Sequence, residues 1–300
     1  MEPCLAGLWG GFVESVWVWG AGSLGCGEGC GVEEGWGMPA RIGVLLEAGR
    51  GAAGRPAVHT GPAVNAAFLA AVRDGGEAEL ATLFHEARPP KPYTLTPLLD
   101  ERDRPARGVG ERVRFEVGVL SDTLTAPVLL ALSRLSRTRV ANCHYSVAGI
   151  EVLRAEPYAE LLDAARSVRR WTFDIRTPAA FFTAREEGVR RVRPFPTPEW
   201  VFSDLYRRWN AFGPPMDDET ADAITGNLEA VEHRLVTSEH LLKAGAPTVR
   251  GCVGTISYRV VGQPGADAVL ALDALVRFSA YAGIGDRTNI GMGHVHPTSP

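Results

Sequence analysis

Seven histidines and two lysines set the proton chemistry open to this chain. Histidine is the side chain whose ordinary pKa suits both giving and taking a proton near neutrality. His85 falls at the end of a short helix expected over 77–86, where the helix dipole favours the protonated imidazole. Pro89-Pro90 stops that helix, and Lys91 follows six residues after His85, so an imidazole and an ammonium can face one cleft. Lys91 and Lys243 are the only lysines; the other 29 of the 31 basic residues are arginines. That bias fits either coding preference or phosphate recognition, since a guanidinium forks onto anionic oxygens.

The string Gly283-Ile284-Gly285-Asp286-Arg287-Thr288-Asn289-Ile290-Gly291-Met292-Gly293 is the second candidate. It fails as a dinucleotide fingerprint: position 288 is Thr, a helix rather than a strand precedes it, and seven residues after Gly293 cannot build a βαβ unit. It lacks the Gly-Lys-Ser/Thr of a P-loop. What remains is a helix-to-strand turn in which Gly283, Gly285, Gly291 and Gly293 are free to take positive φ. Such a turn either lets helix and strand pack closely or aims backbone N–H groups at an anion, with Arg287 at its tip.

The other histidines rank lower. His59 lies in a loop before an expected helix at 62–73 and is a reserve proton-transfer candidate. His144 reads as a sheet residue, His233 and His240 as neighbours of a core strand, and His294 and His296 as one solvated face of the last strand. Five cysteines are too few for a disulfide scaffold and suit a reducing cytoplasm. Cys26 and Cys30 have no further ligands at zinc spacing, so neither a metal nor a cofactor is expected. No uncharged apolar run reaches 18 residues, which leaves out a membrane-spanning helix.

Residues 1–37 differ from the rest. They hold 11 of 34 glycines, four of seven tryptophans, five Glu and no Lys or Arg. Such a segment buries too little branched apolar surface to order itself, so it reads as a disordered tail or a start upstream of the true Met38. The remainder carries 31 basic and 30 acidic residues.

The elements that must position these groups follow from periodicity. Expected strands are 41–47, 93–99, 112–120, 143–153, 172–177, 233–242, 249–260 and 290–296. Expected helices are 62–73, 77–86, 124–137, 198–212 and 266–281, with Trp200, Val201, Leu205 and Trp209 as the face of the fourth. A hairpin after Phe181-Phe182 carries Arg185, Arg190, Arg191 and Arg193. The order β-α-(α)-β-β-α-β suggests an α+β fold of two tandem ferredoxin-like (RRM-like) domains, antiparallel sheets with helices on one face. Their expected spans are 38–170 and 171–300.

Four segments, in order, resemble the CRISPR-associated repeat-RNA endoribonucleases of family six, in the RAMP superfamily. They are Leu80–Glu86 with Pro90–Leu98, Thr172–Phe182, Leu205–Pro214, and the helix end Arg277–Tyr281 running through the glycine string into Met292-Gly293-His294-Val295. The resemblance covers about residues 38–300. It implies a metal-independent endoribonuclease cutting CRISPR precursor RNA within repeats through 2′-hydroxyl attack and a 2′,3′-cyclic phosphate. It places the catalytic histidine at His85 and its accompanying lysine at Lys91. Where the family's archaeal branch has a third partner, a tyrosine, this chain has about Leu69. RNA contacts are expected from Arg287 with its loop glycines and from Arg190, Arg191 and Arg193. Implied partners are repeat RNA, a multi-subunit interference complex and a second copy of the chain. A non-catalytic repeat-binding subunit is the alternative reading.

Overall fold

The computed structural model describes residues 37–49, 59–106, 112–182, 191–240 and 248–299. Residues 36–300 form one compact unit. Residues 1–36, with Cys4, Cys26 and Cys30, lie outside the described residues.

The first half runs β1 (Ala40–Ala48), α1 (Gly61–Asp74), α2 (Ala78–Glu86), β2 (Tyr93–Leu95), β3 (Arg112–Val119), α3 (Asp122–Ser133), β4 (Arg137–Val140) and β5 (Cys143–Ala155). Its five strands lie in the order β2-β3-β1-β5-β4, every neighbouring pair antiparallel. Strand alternation sends Ile42, Val44 and Leu46 into a core with Val64, Phe68 and Val72 of α1 and Phe84 of α2. The opposite face of β1 starts with Arg41, whose burial against the second half is described below.

The second half runs α4 (Tyr158–Asp163), β6 (Arg170–Ala179), β7 (Phe181–Phe182), β8 (Val192–Arg193), α5 (Pro198–Phe212), α6 (Asp218–Gly226), β9 (Leu228–His240), β10 (Val249–Val260), α7 (Ala266–Ala282) and β11 (Val295–Thr298). Four strands pair antiparallel in the order β11-β6-β10-β9, and β7 pairs β8 in a separate hairpin. Trp171, Phe173 and Ile175 of β6 meet Phe202, Leu205 and Trp209 of α5 and Leu272 and Leu275 of α7 in the larger core. Tyr158 ties the halves together: its hydroxyl donates to the Leu120 carbonyl at 2.9 Å and its ring meets Trp209 edge-on at 4.8 Å.

Several expected elements differ. The helix expected to 137 ends at Ser133, because Arg137–Val140 turn through Ala141 (φ 54°) and pair with Cys143–Ser146 as β4. The strand expected over 93–99 stops at Leu95, near Pro97, and regains two isolated bridges at Leu99, to Pro105 and Arg114. The last strand begins at Val295 rather than 290, since Thr288–Ile290 form a 3₁₀ turn between left-handed Arg287 and Gly291. Helix α6 was not expected. Its signal is Asp217, whose carboxylate accepts from the Thr220 amide at 2.9 Å as an N-cap. Trp200, expected on the apolar face of α5, instead stands 37% exposed while Val201 and Phe202 turn inward.

Candidate functional site

Helices α1 and α2 form a hairpin closed at Gly75-Gly76, where a Cβ on Gly75 would lie 2.6 Å from the Ala131 carbonyl oxygen. Phe68, Phe84 and Tyr93 clamp α2 over β2, with ring centroids 4.6–5.7 Å apart. That clamp fixes the last turn of α2, from which His85 is exposed to solvent. Lys91 returns to the same turn. Its Nζ donates to the Phe84 carbonyl at 2.7 Å and the His85 carbonyl at 2.9 Å, completing carbonyls the helix leaves open. The structure therefore brings His85 and Lys91 together, with the ammonium held by the backbone and its pKa lowered by burial. Leu69 is half-buried against the first core and has no proton to give.

The glycine string is a packed bracket. Gly283, Gly285, Gly291 and Gly293 all take positive φ, as the turn required, and a Cβ on Gly293 would sit 1.9 Å from the Ile284 carbonyl oxygen. The amides of residues 283–286, 290, 292 and 293 donate within the protein: Gly285 to the Asp204 carboxylate, the others to backbone carbonyls. Close packing thus uses most of the N–H groups that an anion nest would need, and anion contact falls chiefly to the side chain of Arg287. That residue is left-handed (φ 63°), with its guanidinium 4.8 Å from the Phe182 ring centroid. Arg208 holds the bracket from below, donating to Asp204, Thr288 Oγ1 and the carbonyls of Ala282 and Gly285. Arg208 was not singled out from the sequence, where its only signal is an Asp four residues earlier on the same helix.

His59 does not join His85. It precedes α1, roughly 12 Å along the helix from the level of Phe68, by helical rise. There it packs on His240, ring centroids 4.8 Å apart, beside the contact of Gly61 with Ile290 and Gly291. Arg193 sits exposed on β8 opposite Phe181, with Arg191 just before it, while Arg190 lies outside the described residues.

His294 and His296 share one side of β11, but His294 is 5% exposed rather than solvated. They close a ring of side chains. Arg41 Nε donates to Glu116 at 2.8 Å, Arg114 Nε donates to the other Glu116 oxygen at 3.0 Å, and Arg114 also pairs with Asp103. Asp103 lies 2.7 Å from His296 Nε2, which is 3.2 Å from His294 Nε2, and Arg41 returns to His294 Nδ1 at 2.8 Å. Asp103, His294 and His296 have the spacing of metal ligands. A guanidinium only donates, however, so Nδ1 of His294 must accept and Nε2 carries the proton. A metal-binding imidazole has the reverse arrangement. The set fits a hydrogen-bonded clamp between β1, β3 and β11 better than a metal centre.

Burial holds His294 and His240 neutral, each with its pKa lowered from 6.5 to about 4. Between those values the unfolded chain binds a proton on each that the folded chain does not. Stability is complete above about pH 6.5 and falls as pH drops toward 4, by at most about 3 kcal/mol per imidazole. The urea midpoint is expected to decline steadily from pH 7 to pH 4.5, and His294→Gln, which can still accept from Arg41, is expected to make that decline shallower.

With this geometry in place, known proteins supply a match. Residues 173–295 match the family model for the CRISPR-associated endoribonuclease Cas6. A Streptococcus thermophilus CRISPR-associated endoribonuclease Cas6 is 22% identical over 192 residues, 62% of this chain and 75% of that protein. A Cas6 product complex superposes with a TM-score of 0.73 at 27% identity, covering 87% of this chain and all of the other. Thermus thermophilus Cas6 gives 0.67, also at 27%, covering 87% and 99%. A Cas6-related structure from Pyrococcus furiosus gives 0.60 at 12% identity, covering 87% and 98%, a likeness of fold.

Proposed function

We infer that this chain, which belongs to the Cas6 family of CRISPR-associated endoribonucleases, cuts CRISPR precursor RNA within each repeat by a metal-independent route. A base takes the 2′-hydroxyl proton, the 2′-oxygen bonds to phosphorus, the P–O5′ bond breaks, and the leaving oxygen gains a proton. The products are a 2′,3′-cyclic phosphate and a 5′-hydroxyl. His85 supplies one of those proton transfers, and the Lys91 ammonium lends positive charge to the phosphate beside it. The observation that carries this reading is the exposed His85 imidazole on a turn that Lys91 itself completes. His59, just before the N-terminal end of α1, is the reserve candidate.

The two halves, 38–170 and 171–300, are read as ferredoxin-like domains. In support, β1, β2, β3 and β5 lie in the sheet order fourth-first-third-second, and so do β6, β9, β10 and β11. Repeat RNA is held by Arg287, which the glycine bracket presents, and by the arginines about β8, and the cut product passes to an interference complex. One observation favours a second reading, a repeat-binding subunit without activity: Leu69 offers no third proton group and two hydrogens of Lys91 Nζ are committed to carbonyls.

The test is a cleavage assay in EDTA with the repeat encoded beside the gene. A single cut ending in a cyclic phosphate is expected. Tight binding without a cut would overturn catalysis in favour of the subunit reading.

A further inference from the structure

Beyond the bracket, between the N-terminus of α5 and the β7–β8 hairpin, lies a cleft of about 430 Å³. Phe181, Phe182 and Trp200 form its flat apolar walls, and Glu199, Ser203 and Asp286 its polar ones. We propose that this cleft takes one unpaired nucleobase of the bound repeat RNA, stacked on Trp200, with its amino group donated to a carboxylate. The inference rests on the RNA-processing reading above.

The walls decide the ligand's chemistry. Glu199, Asp204 and Asp286 border the space against one cation among the described lining residues, Arg207, so a neutral group is favoured there over phosphate. Asp204 is already engaged by Arg207, Arg208 and the Gly285 amide, and Asp286 accepts from the Phe182 amide. Glu199 makes no hydrogen bond among the described residues and stands at the rim, ready to accept one. A flat, neutral group that donates hydrogen bonds fits: adenine, cytosine or guanine, each with an exocyclic amino group.

The surroundings decide that the flat group belongs to RNA. Arg287 lies over the ring of Phe182, one of the cleft's walls, and Arg193 is paired across the hairpin from Phe181. In the proposed complex these two cations meet the phosphates that flank the inserted base. Trp200 also departs from the pattern of its own helix. Trp171 and Trp209 are fully buried, whereas Trp200 keeps 37% of its surface in water, with Phe181 6.4 Å away between ring centroids. An aromatic platform of this kind binds any base face, and the carboxylate adds the preference for an amino edge.

The test is a scan of the repeat RNA with one abasic nucleotide at each position, bound to the wild type and to Trp200→Ala. At one unpaired position the abasic change is expected to weaken wild-type binding about tenfold, and Trp200→Ala to weaken intact RNA by a similar factor. The two together should cost no more than either alone. Glu199→Gln is expected to reduce discrimination against uridine at that position while leaving the stacking loss in place. If the two losses multiply at every position, Trp200 holds no base and the inference falls. Trp200→Ala binding RNA like the wild type would also overturn it, and would point to a protein's cationic side chain as the occupant. A wild type that neither binds nor cuts the repeat would instead remove the RNA-processing reading on which the inference stands.

Discussion

Replacing His85 by alanine is expected to slow repeat cleavage by about 10²–10⁴-fold, the usual worth of a positioned proton-transfer group, and to leave repeat affinity within a few fold. The separation of the two effects follows from where the side chain sits. His85 is exposed on the last turn of α2, and the ties that hold that turn are the Phe68–Phe84–Tyr93 rings and the Lys91 ammonium on backbone carbonyls. None of these uses the imidazole, so alanine removes the proton-transfer group and keeps the scaffold. The arginines proposed to hold RNA stand on other elements. Single-turnover cleavage and filter binding on one preparation measure both quantities. Cleavage within a few fold of the wild type would refute the role of His85. His59→Ala in the same assay is then the informative comparison, because His59 faces His240 rather than α2.

Lys91→Ala tells less about chemistry than its place beside His85 suggests. Two of its hydrogens close the end of α2, so its removal both takes away a cation and loosens the turn that presents the imidazole.

The sequence made the helices and most strands legible because their signals are local. The apolar residues of α1 follow a 3.6-residue period, and Val64, Ala67, Phe68, Ala71 and Val72 are buried on one face. The exposed His85 and the positive φ angles of the glycine string were also readable, from a helix stop at Pro89-Pro90 and from glycine spacing. What was not readable depends on contacts across the chain. His294 looks like a solvated strand residue until Arg41, 253 positions earlier, closes over it. Trp200 looks like part of an amphipathic face until the neighbouring Val201 and Phe202 are seen to take the core positions. The loop amides look available to an anion until their partners in the β6–β7 segment and on α5 are in place. Each miss has one cause: local pattern reports which face is apolar, and only tertiary contact reports which polar group has been used.

Arg208→Met is expected to have the largest effect on the structure itself, a loss of about 3–5 kcal/mol, as for breaking a buried ion pair by removing one partner. Arg208 is 5% exposed and Asp204 9%. The guanidinium spends its hydrogens on Asp204, on Thr288 and on two carbonyls of the glycine bracket, so methionine fills the volume and satisfies none of them. Asp204 is left buried, with one oxygen on the Gly285 amide and the other on half-exposed Arg207. The carbonyls of Ala282 and Gly285 lose their donors at the point where α7 turns into the bracket. Repeat binding should fall with stability, since Arg287, the RNA contact proposed above, is aimed by the same turn. Arg208→Lys keeps the charge but not the fork, and should recover only part of the loss. Arg207→Met removes an arginine from the same carboxylate at an exposed position, and should cost less than about 1 kcal/mol. Urea unfolding of the three variants decides the point. If Arg208→Met and Arg207→Met cost the same, the bracket is held by its backbone hydrogen bonds and glycines alone, and the guanidinium beneath it is dispensable.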